Sequence, residues 1–128
     1  MSKQLTYLDF ATDELQYFVA VYNAGMRYNA MVSQAQRICE CYLKQIITKS
    51  LINNSEVMWQ HNLRDIYTYI EDTLHIDLSD IRSQVMLLNN FYTHTRYPGR
   101  DAFLASPADV ESSYKALCDI VKFVQRYI

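Results

Sequence analysis

Apolar side chains recur at alternating three- and four-residue steps along most of this chain, and that spacing places them on one face of a helix. Five segments show the pattern, and none shows the sustained apolar–polar alternation of a strand. Only two Gly and two Pro occur in 128 residues, so little interrupts long helices. The sequence therefore predicts an all-α fold: an antiparallel, up-and-down bundle of about five helices, in one domain over residues 1–128.

The predicted helices follow five apolar stripes. The stripes run from Leu8 to Tyr22, from Tyr28 to Ile46, from Leu63 to Leu74, from Leu78 to Tyr92 and from Val110 to Ile128. Gly25 provides the break between the first two helices, and residues 53–55 have the composition of a loop. After Tyr92 the periodicity lapses. Pro98 and Gly99 must break the fourth helix there, because proline lacks the backbone N–H that a helix needs.

Several predicted starts carry a residue whose side-chain oxygen can accept a hydrogen bond from a free backbone N–H. These residues are Thr6 for the first helix, Asp77 or Ser79 for the fourth and Ser106 for the last. After Ser106, Pro107 occupies the first helical position and Asp109 the third, an arrangement typical of helix N-termini.

Charge and cysteine content narrow the classes of function. The formal net charge is −2 and the pI is about 5.8, so only a local basic patch would attract nucleic acid or an anionic membrane. Cys39, Cys41 and Cys118 have no paired spacing, which argues against disulfides and a metal site. We expect no cofactor and a reducing, cytoplasmic setting. Residues 1–10 lack a signal-peptide core, and no apolar run reaches the roughly 18 residues of a membrane span.

The residues at the end of the fourth stripe combine cationic and aromatic side chains. Arg96 and Arg100 are able to form a fork for a phosphate or carboxylate. Tyr92 and Tyr97 are suited to stacking on a nucleobase, and His94 to moving a proton. A structural interpretation stays open beside this one, because a chain leaving a bundle also needs polar side chains to satisfy its freed carbonyl groups.

A second polar stretch, from Trp59 to Arg64, leads into the third predicted helix. In an antiparallel pair the start of one helix adjoins the end of the next, so the His61 segment should share one end of the bundle with Arg96. Arg64 and Arg96 are then expected to converge. The topology therefore predicts a candidate site at this end.

Three stretches of this chain resemble the HEPN domain family, small helical bundles of bacteria, archaea and some larger eukaryotic proteins. They are Tyr28-Asn29-Ala30 with Gln34-Ala35, Cys39-Glu40 and Leu43-Lys44 in the second helix, His61-Asn62-Leu63-Arg64 at the start of the third, and Tyr92 with Thr95-Arg96-Tyr97-Pro98 at the end of the fourth. The last stretch is similar to the Tyr…Thr-Arg-Tyr-Pro signature of one HEPN branch. With the final helix, the likeness spans nearly the whole chain.

The resemblance implies a homodimer and pairing with a minimal nucleotidyltransferase, often as toxin and antitoxin. Some members of the family are metal-independent ribonucleases that use an arginine followed four to six residues later by a histidine. This chain departs from that pattern, because the first histidine after Arg64 is His75 and the first after Arg82 is His94. The resemblance therefore favours the Thr-Arg-Tyr-Pro branch, for which nucleotide binding is proposed, and catalysis is not expected.

The favoured hypothesis is a HEPN-like nucleotide-binding or accessory module with nucleotide or RNA as ligand and no membrane partner. Its site residues are Arg96, Tyr97, His61 and Arg64, with Tyr92, His94 and Arg100 as secondary candidates. In this hypothesis Arg96 holds a phosphate and Tyr97 stacks on or positions the ligand. Two alternatives stay open: a ribonuclease that uses His94, Arg96 and Arg100, and a structural interaction domain without a ligand.

Overall fold

A computed structural model describes residues 4–50 and 56–128, and these residues form five α-helices and no strand. The helices are α1 (Tyr7–Asn23), α2 (Ala30–Lys49), α3 (Leu63–Leu74), α4 (Arg82–Thr95) and α5 (Pro107–Val124), with 3₁₀ turns at Val57–Trp59 and Ser79–Ile81. The prediction of an all-α bundle of five helices is confirmed. The predicted loop at 53–55 lies outside the described residues. None of the described helices combines the length and apolar character that a membrane crossing requires.

The predicted helix boundaries at Thr6, Gly25 and Ser106 are present. Thr6 and Ser106 each form a capping box with the aspartate three residues later, in which each side chain accepts a hydrogen bond from the other residue's backbone N–H. Gly25 follows α1 with a φ of 88°, a conformation that glycine adopts without steric cost. Asn62 caps α3, because its Oδ1 accepts from the Arg64 N–H at 2.8 Å.

The fourth helix starts later than its apolar stripe predicts. The stripe begins at Leu78, whereas α4 begins at Arg82 without a side-chain cap. Asp77 does accept a hydrogen bond from the Ser79 N–H at 2.9 Å, but it caps the tight turn that precedes the helix. Leu78 and Ile81 are nevertheless buried, because a 3₁₀ turn brings side chains three residues apart to the same side.

α2 is the central helix and contacts each of the other four. Every residue from position 38 to 47 is buried, so this stretch meets neighbours on all sides. Near the ends of α1 and α2, the Leu8 N–H donates to Gln45 Oε1 at 3.1 Å. The Leu63 N–H, at the start of α3, donates to Asn89 Oδ1 in the second half of α4 at 2.9 Å. These two pairs join the start of one helix to the later part of its partner, as antiparallel packing requires.

Asn29, beside the start of α2, holds the segment that follows α4. Its side-chain amide donates to the Thr95 carbonyl at 3.0 Å, and its Oδ1 accepts from the Ala105 N–H at 2.7 Å. The segment between α4 and α5, residues 96–106, is called the Arg96 loop below. Asn29 thereby fixes both ends of this loop against the N-terminal end of α2.

His61 lies beside the middle of α2 rather than beyond its end. The side-chain amide of Gln36 donates to the His61 carbonyl at 2.9 Å. Because α3 begins two residues later against the second half of α4, the His61 segment is placed between α2 and α4.

Candidate functional site

A groove of about 840 Å³ opens along α1 and α2 and beside the end of α4. Its aromatic and ionisable lining residues are Tyr17, Tyr28, Tyr92, Tyr97, Glu14, Arg37, Glu40, Arg96, Cys41 and His61. Three of the tyrosines are open to solvent, with Tyr17 exposed by 63%, Tyr28 by 60% and Tyr97 by 76%. The volume falls within the range of about 300–1,000 Å³ that is usual for small-molecule sites.

The Arg96 guanidinium lies against two tyrosine rings. Its Cζ atom is 4.5 Å from the ring centre of Tyr92 and 5.9 Å from that of Tyr97. A guanidinium placed over a ring face keeps the N–H groups at its edge available for hydrogen bonds. Within residues 4–50 and 56–128, no carboxylate forms an ion pair with Arg96. The groove therefore presents an oriented cation whose fork matches a phosphate or a carboxylate.

Glu40 connects His61 to a buried lysine. The Glu40 Oε2 atom lies 3.1 Å from His61 Nδ1 and 2.8 Å from Lys44 Nζ. Lys44 exposes only 2% of its surface, and its ammonium lies 5.9 Å from the ring centre of Tyr7. A buried ammonium requires a carboxylate partner, and Glu40 supplies it. The charged carboxylate in turn orients the imidazole at the wall of the groove.

The other arginine of the groove has a carboxylate partner, and the thiol of the groove is not activated. Arg37 pairs with Glu14, with 3.2 Å between Nε and Oε1. Burial, together with the carboxylates of Glu40 and Glu14, raises the pKa of Cys41 to about 11. Because a thiol with that pKa stays protonated at neutral pH, Cys41 is not an activated nucleophile. Arg96 thus stands out as the cation available to an anionic ligand.

Four of the residues singled out in the sequence line this groove together: His61, Tyr92, Arg96 and Tyr97. Arg64 does not join them, so the expected convergence of Arg64 with Arg96 is not observed in the groove. The reason is helical geometry. Successive residues of a helix point about 100° apart, and the complete burial of Leu63 turns Arg64 towards solvent in the first turn of α3.

His94 and Arg100 also lie outside the groove. The His94 ring stacks on the ring of Phe103, with 6.4 Å between their centres. Arg100 is exposed within the Arg96 loop. The structure therefore does not bring His94, Arg96 and Arg100 together as one set.

A second pocket, of about 450 Å³, is also bordered by Arg96 and Tyr97. The apolar residues that line it belong to the same loop and are Pro98, Ala102, Phe103 and Leu104. Leu104 is 80% exposed. The Arg96 loop thus borders the polar groove and, separately, an apolar pocket.

Some contributors to this region were not recognised as such in the sequence. Asn29, which brackets the Arg96 loop, carries no local signal because both of its partners are distant along the chain. Glu40 and Lys44 do carry a local signal in the sequence, since they are charged residues four apart within a stretch that is otherwise mainly apolar. Tyr28 was predicted as part of an apolar stripe, but it precedes α2 and is exposed. Tyr17 falls off the stripe of α1 and carries no further signal.

Metal ligands are not clustered in the described part of the chain. Over residues 4–50 and 56–128, no group of three or more His, Cys, Asp or Glu side chains is arranged to hold a metal ion.

Comparison with known proteins identifies the family of this fold. The family model described as the HEPN domain matches residues 6–127, a span that includes all five helices and the groove. No curated protein and no solved structure matches the chain. The match agrees with the three stretches that carry the resemblance in the sequence, and the chain belongs to the HEPN domain family.

Proposed function

We propose that this HEPN domain binds a nucleotide in the groove, with Arg96 on a phosphate and the exposed tyrosines beside the base. The observation that carries the proposal is that the Arg96 guanidinium is held against tyrosine rings and has no ion-pair partner among the described residues. Tyr92 orients the guanidinium, and Tyr97 lies near it. Arginine–phosphate pairs are charge-assisted and often bidentate, and stacking of a base on an aromatic ring contributes about 1–3 kcal/mol.

Calorimetric titration with AMP and ATP tests the proposal. Loss of a charge-assisted pair costs about 1.5–3 kcal/mol, so Arg96→Ala should weaken binding by roughly 10- to 100-fold. Arg64→Ala is the matched control, because it removes the same charge from an exposed position outside the groove. Equal affinity of the wild type and both variants would contradict the assignment of the site to Arg96.

A purely structural role of the Arg96 loop is the main competing interpretation. The hydrogen bonds that such a role would require are made by Asn29, whose side chain bonds the Thr95 carbonyl and the Ala105 N–H. Arg96 is exposed and makes aromatic contacts instead. We therefore expect Arg96→Ala to leave the melting temperature within about 2 °C of the wild type. A clear fall in melting temperature with unchanged nucleotide affinity would favour the structural role.

The wider assembly is also a proposal. Homodimers are common in the HEPN family, and we propose that this chain acts as one domain in a homodimer and as the accessory subunit of a minimal nucleotidyltransferase, in a toxin–antitoxin arrangement. Discovery of a nucleotidyltransferase gene in the neighbouring reading frame would support this role. Co-expression of the two proteins followed by size-exclusion chromatography tests it, and separate elution at micromolar concentration would contradict a stable complex.

Ribonuclease activity is the second functional candidate in this family, and the groove gives it less support. Of His94, Arg96 and Arg100, only Arg96 lines the groove, while His94 lies against Phe103. Incubation of the protein and a His94→Ala variant with total RNA distinguishes the candidates. Cleavage by the wild type that the variant loses would establish the ribonuclease in place of the binding module.

A further inference from the structure

We propose that the groove is specific for a ribonucleotide with a single phosphate. Arg96 holds the phosphate, and the Nε2 atom of His61 accepts a hydrogen bond from a ribose hydroxyl. Glu40 is a positioning residue that fixes the imidazole for this contact. The inference rests on the nucleotide binding proposed above and adds the class of sugar and the number of phosphates.

The position of the hydrogen on the His61 ring follows from its partner. A charged carboxylate has no hydrogen to donate, so the 3.1 Å contact between Glu40 Oε2 and His61 Nδ1 places the hydrogen on Nδ1. In the neutral ring Nε2 is then an acceptor. Nε2 has no hydrogen-bond partner in the part of the chain that the structure describes, and the His61 side chain is 63% exposed at the groove wall. The groove therefore offers an acceptor to a ligand hydroxyl.

Residue 61 is held through both its side chain and its backbone. Lys44 Nζ contacts the same Glu40 oxygen at 2.8 Å, and this buried ion pair restrains the position of the carboxylate. Gln36 donates to the His61 carbonyl at 2.9 Å. An acceptor fixed in this way discriminates between a hydroxyl and its absence better than a freely rotating side chain, because less conformational entropy is lost on binding.

The charges of the groove limit the number of phosphates. Arg37 is paired with Glu14, and Lys44 is buried behind Glu40. Arg96 is therefore the groove cation without a carboxylate partner among the described residues, whereas the charges of Arg37 and Lys44 are each balanced by a carboxylate. A monophosphate meets one unpaired cation at Arg96, whereas a triphosphate without a divalent ion brings further charge into a groove whose other two cations already have carboxylate partners. A ribonucleoside monophosphate fits both the charge and the hydroxyl acceptor.

Calorimetric titration with AMP, 2′-deoxy-AMP, 3′-deoxy-AMP and ATP tests the inference. The titrations are made without divalent ions and at pH 8, because an ordinary imidazole is neutral at that pH. We expect AMP to bind roughly three- to tenfold more tightly than at least one deoxy analogue, the range for one hydrogen bond, and more tightly than ATP. His61→Ala changes an exposed side chain and should bind AMP and both analogues equally. Equal binding of AMP and both analogues by the wild type, or tighter binding of ATP, would overturn the proposal.

Inosine monophosphate separates contact with the sugar from contact with the base, because it keeps the ribose and lacks the amino group of adenine. If inosine monophosphate binds the wild type more weakly than AMP, His61→Ala abolishes that difference, and the deoxy analogues bind as AMP does, then His61 contacts the base and the proposal is wrong.

The positioning role of Glu40 is tested with Glu40→Leu/Lys44→Met, which removes both buried charges together. We expect this variant to bind AMP through Arg96 and to lose the preference over the deoxy analogue. A retained preference would show that Glu40 does not position His61.

Nucleotide binding at Arg96 and the ribose contact at His61 are refuted by different results. If AMP binds with dependence on Arg96 but without preference for the ribose, the site stands and the ribose contact is refuted. If none of the ligands binds the wild type at millimolar concentration, nucleotide binding and the inference that rests on it are both refuted.

Discussion

Removal of the Glu40 carboxylate alone should destabilise the fold severely. Lys44 is 2% exposed in the interior, and its Nζ lies 2.8 Å from Glu40 Oε2. In Glu40→Leu the ammonium either remains buried without a counter-charge or loses its proton, and both outcomes cost free energy. Breaking a buried pair by removing one partner typically costs about 3–5 kcal/mol. For a chain of this length we expect the melting temperature to fall by roughly 10–20 °C.

The paired variant Glu40→Leu/Lys44→Met should recover most of that loss. It replaces both charges with apolar side chains of similar size, and such replacements of buried ion pairs are often neutral or stabilising. Urea unfolding followed by circular dichroism gives the free energy of unfolding for the wild type, both single variants and the double variant. A double-mutant cycle then isolates the coupling between the two residues.

Two results would refute this reasoning. If Glu40→Leu loses less than about 1 kcal/mol, Lys44 does not depend on the carboxylate in the way its burial requires. If the double variant is as unstable as Glu40→Leu, the loss comes from packing or from the contact with His61 rather than from an unpaired ammonium. Arg64→Leu is the control for loss of a surface charge, because this arginine is exposed and forms no ion pair with a described carboxylate; we expect its free energy of unfolding to change by less than about 0.5 kcal/mol.

Three further predictions follow from individual side chains. Asn29→Ala removes two hydrogen bonds to the backbone and should lower the free energy of unfolding by about 1–3 kcal/mol; urea titration checks this, and an unchanged midpoint would contradict it. In the native protein, Cys118 should be the one thiol that reacts fast with Ellman's reagent, because the other two cysteines are buried and the pKa of Cys41 is raised to about 11. Loss of the fast phase in Cys118→Ser would confirm the assignment, and a second fast thiol would refute it. Burial and the Glu71 carboxylate raise the pKa of Tyr67 to about 12. Since its unfolded pKa is about 10, stability should fall as pH rises from about 10 to 12, and Tyr67→Phe should flatten that fall in urea unfolding across this range.

The helices were predictable because their signals are local. Apolar spacing identifies all five, and the capping residues Thr6 and Ser106 mark two starts correctly. The residue at which α4 begins could not be predicted from apolar spacing, because a helix and a 3₁₀ turn both bury Leu78 and Ile81. Local apolar spacing does not distinguish the two geometries over so few residues.

The groove was predictable only in part because it depends on tertiary contacts. Antiparallel packing was enough to expect the His61 segment near Arg96, and both residues line the groove. Arg64 was expected beside them but does not line the groove, because antiparallel packing fixes the position along a helix and not the direction around it. Glu40 and Lys44 were visible as residues of the central helix, but their pairing with each other and with His61 requires the folded positions of α2 and α3.

The location of bound nucleotide on the protein tests nucleotide binding in the groove most directly. Titration of ¹⁵N-labelled protein with AMP, followed by two-dimensional NMR, reports which backbone amides change environment. Nucleotide binding in the groove predicts changes concentrated there, with the largest near residues 28, 61 and 96, and little change at the exposed Arg64. Changes concentrated around Phe103 in the apolar pocket, or no changes at millimolar AMP, would contradict nucleotide binding in the groove.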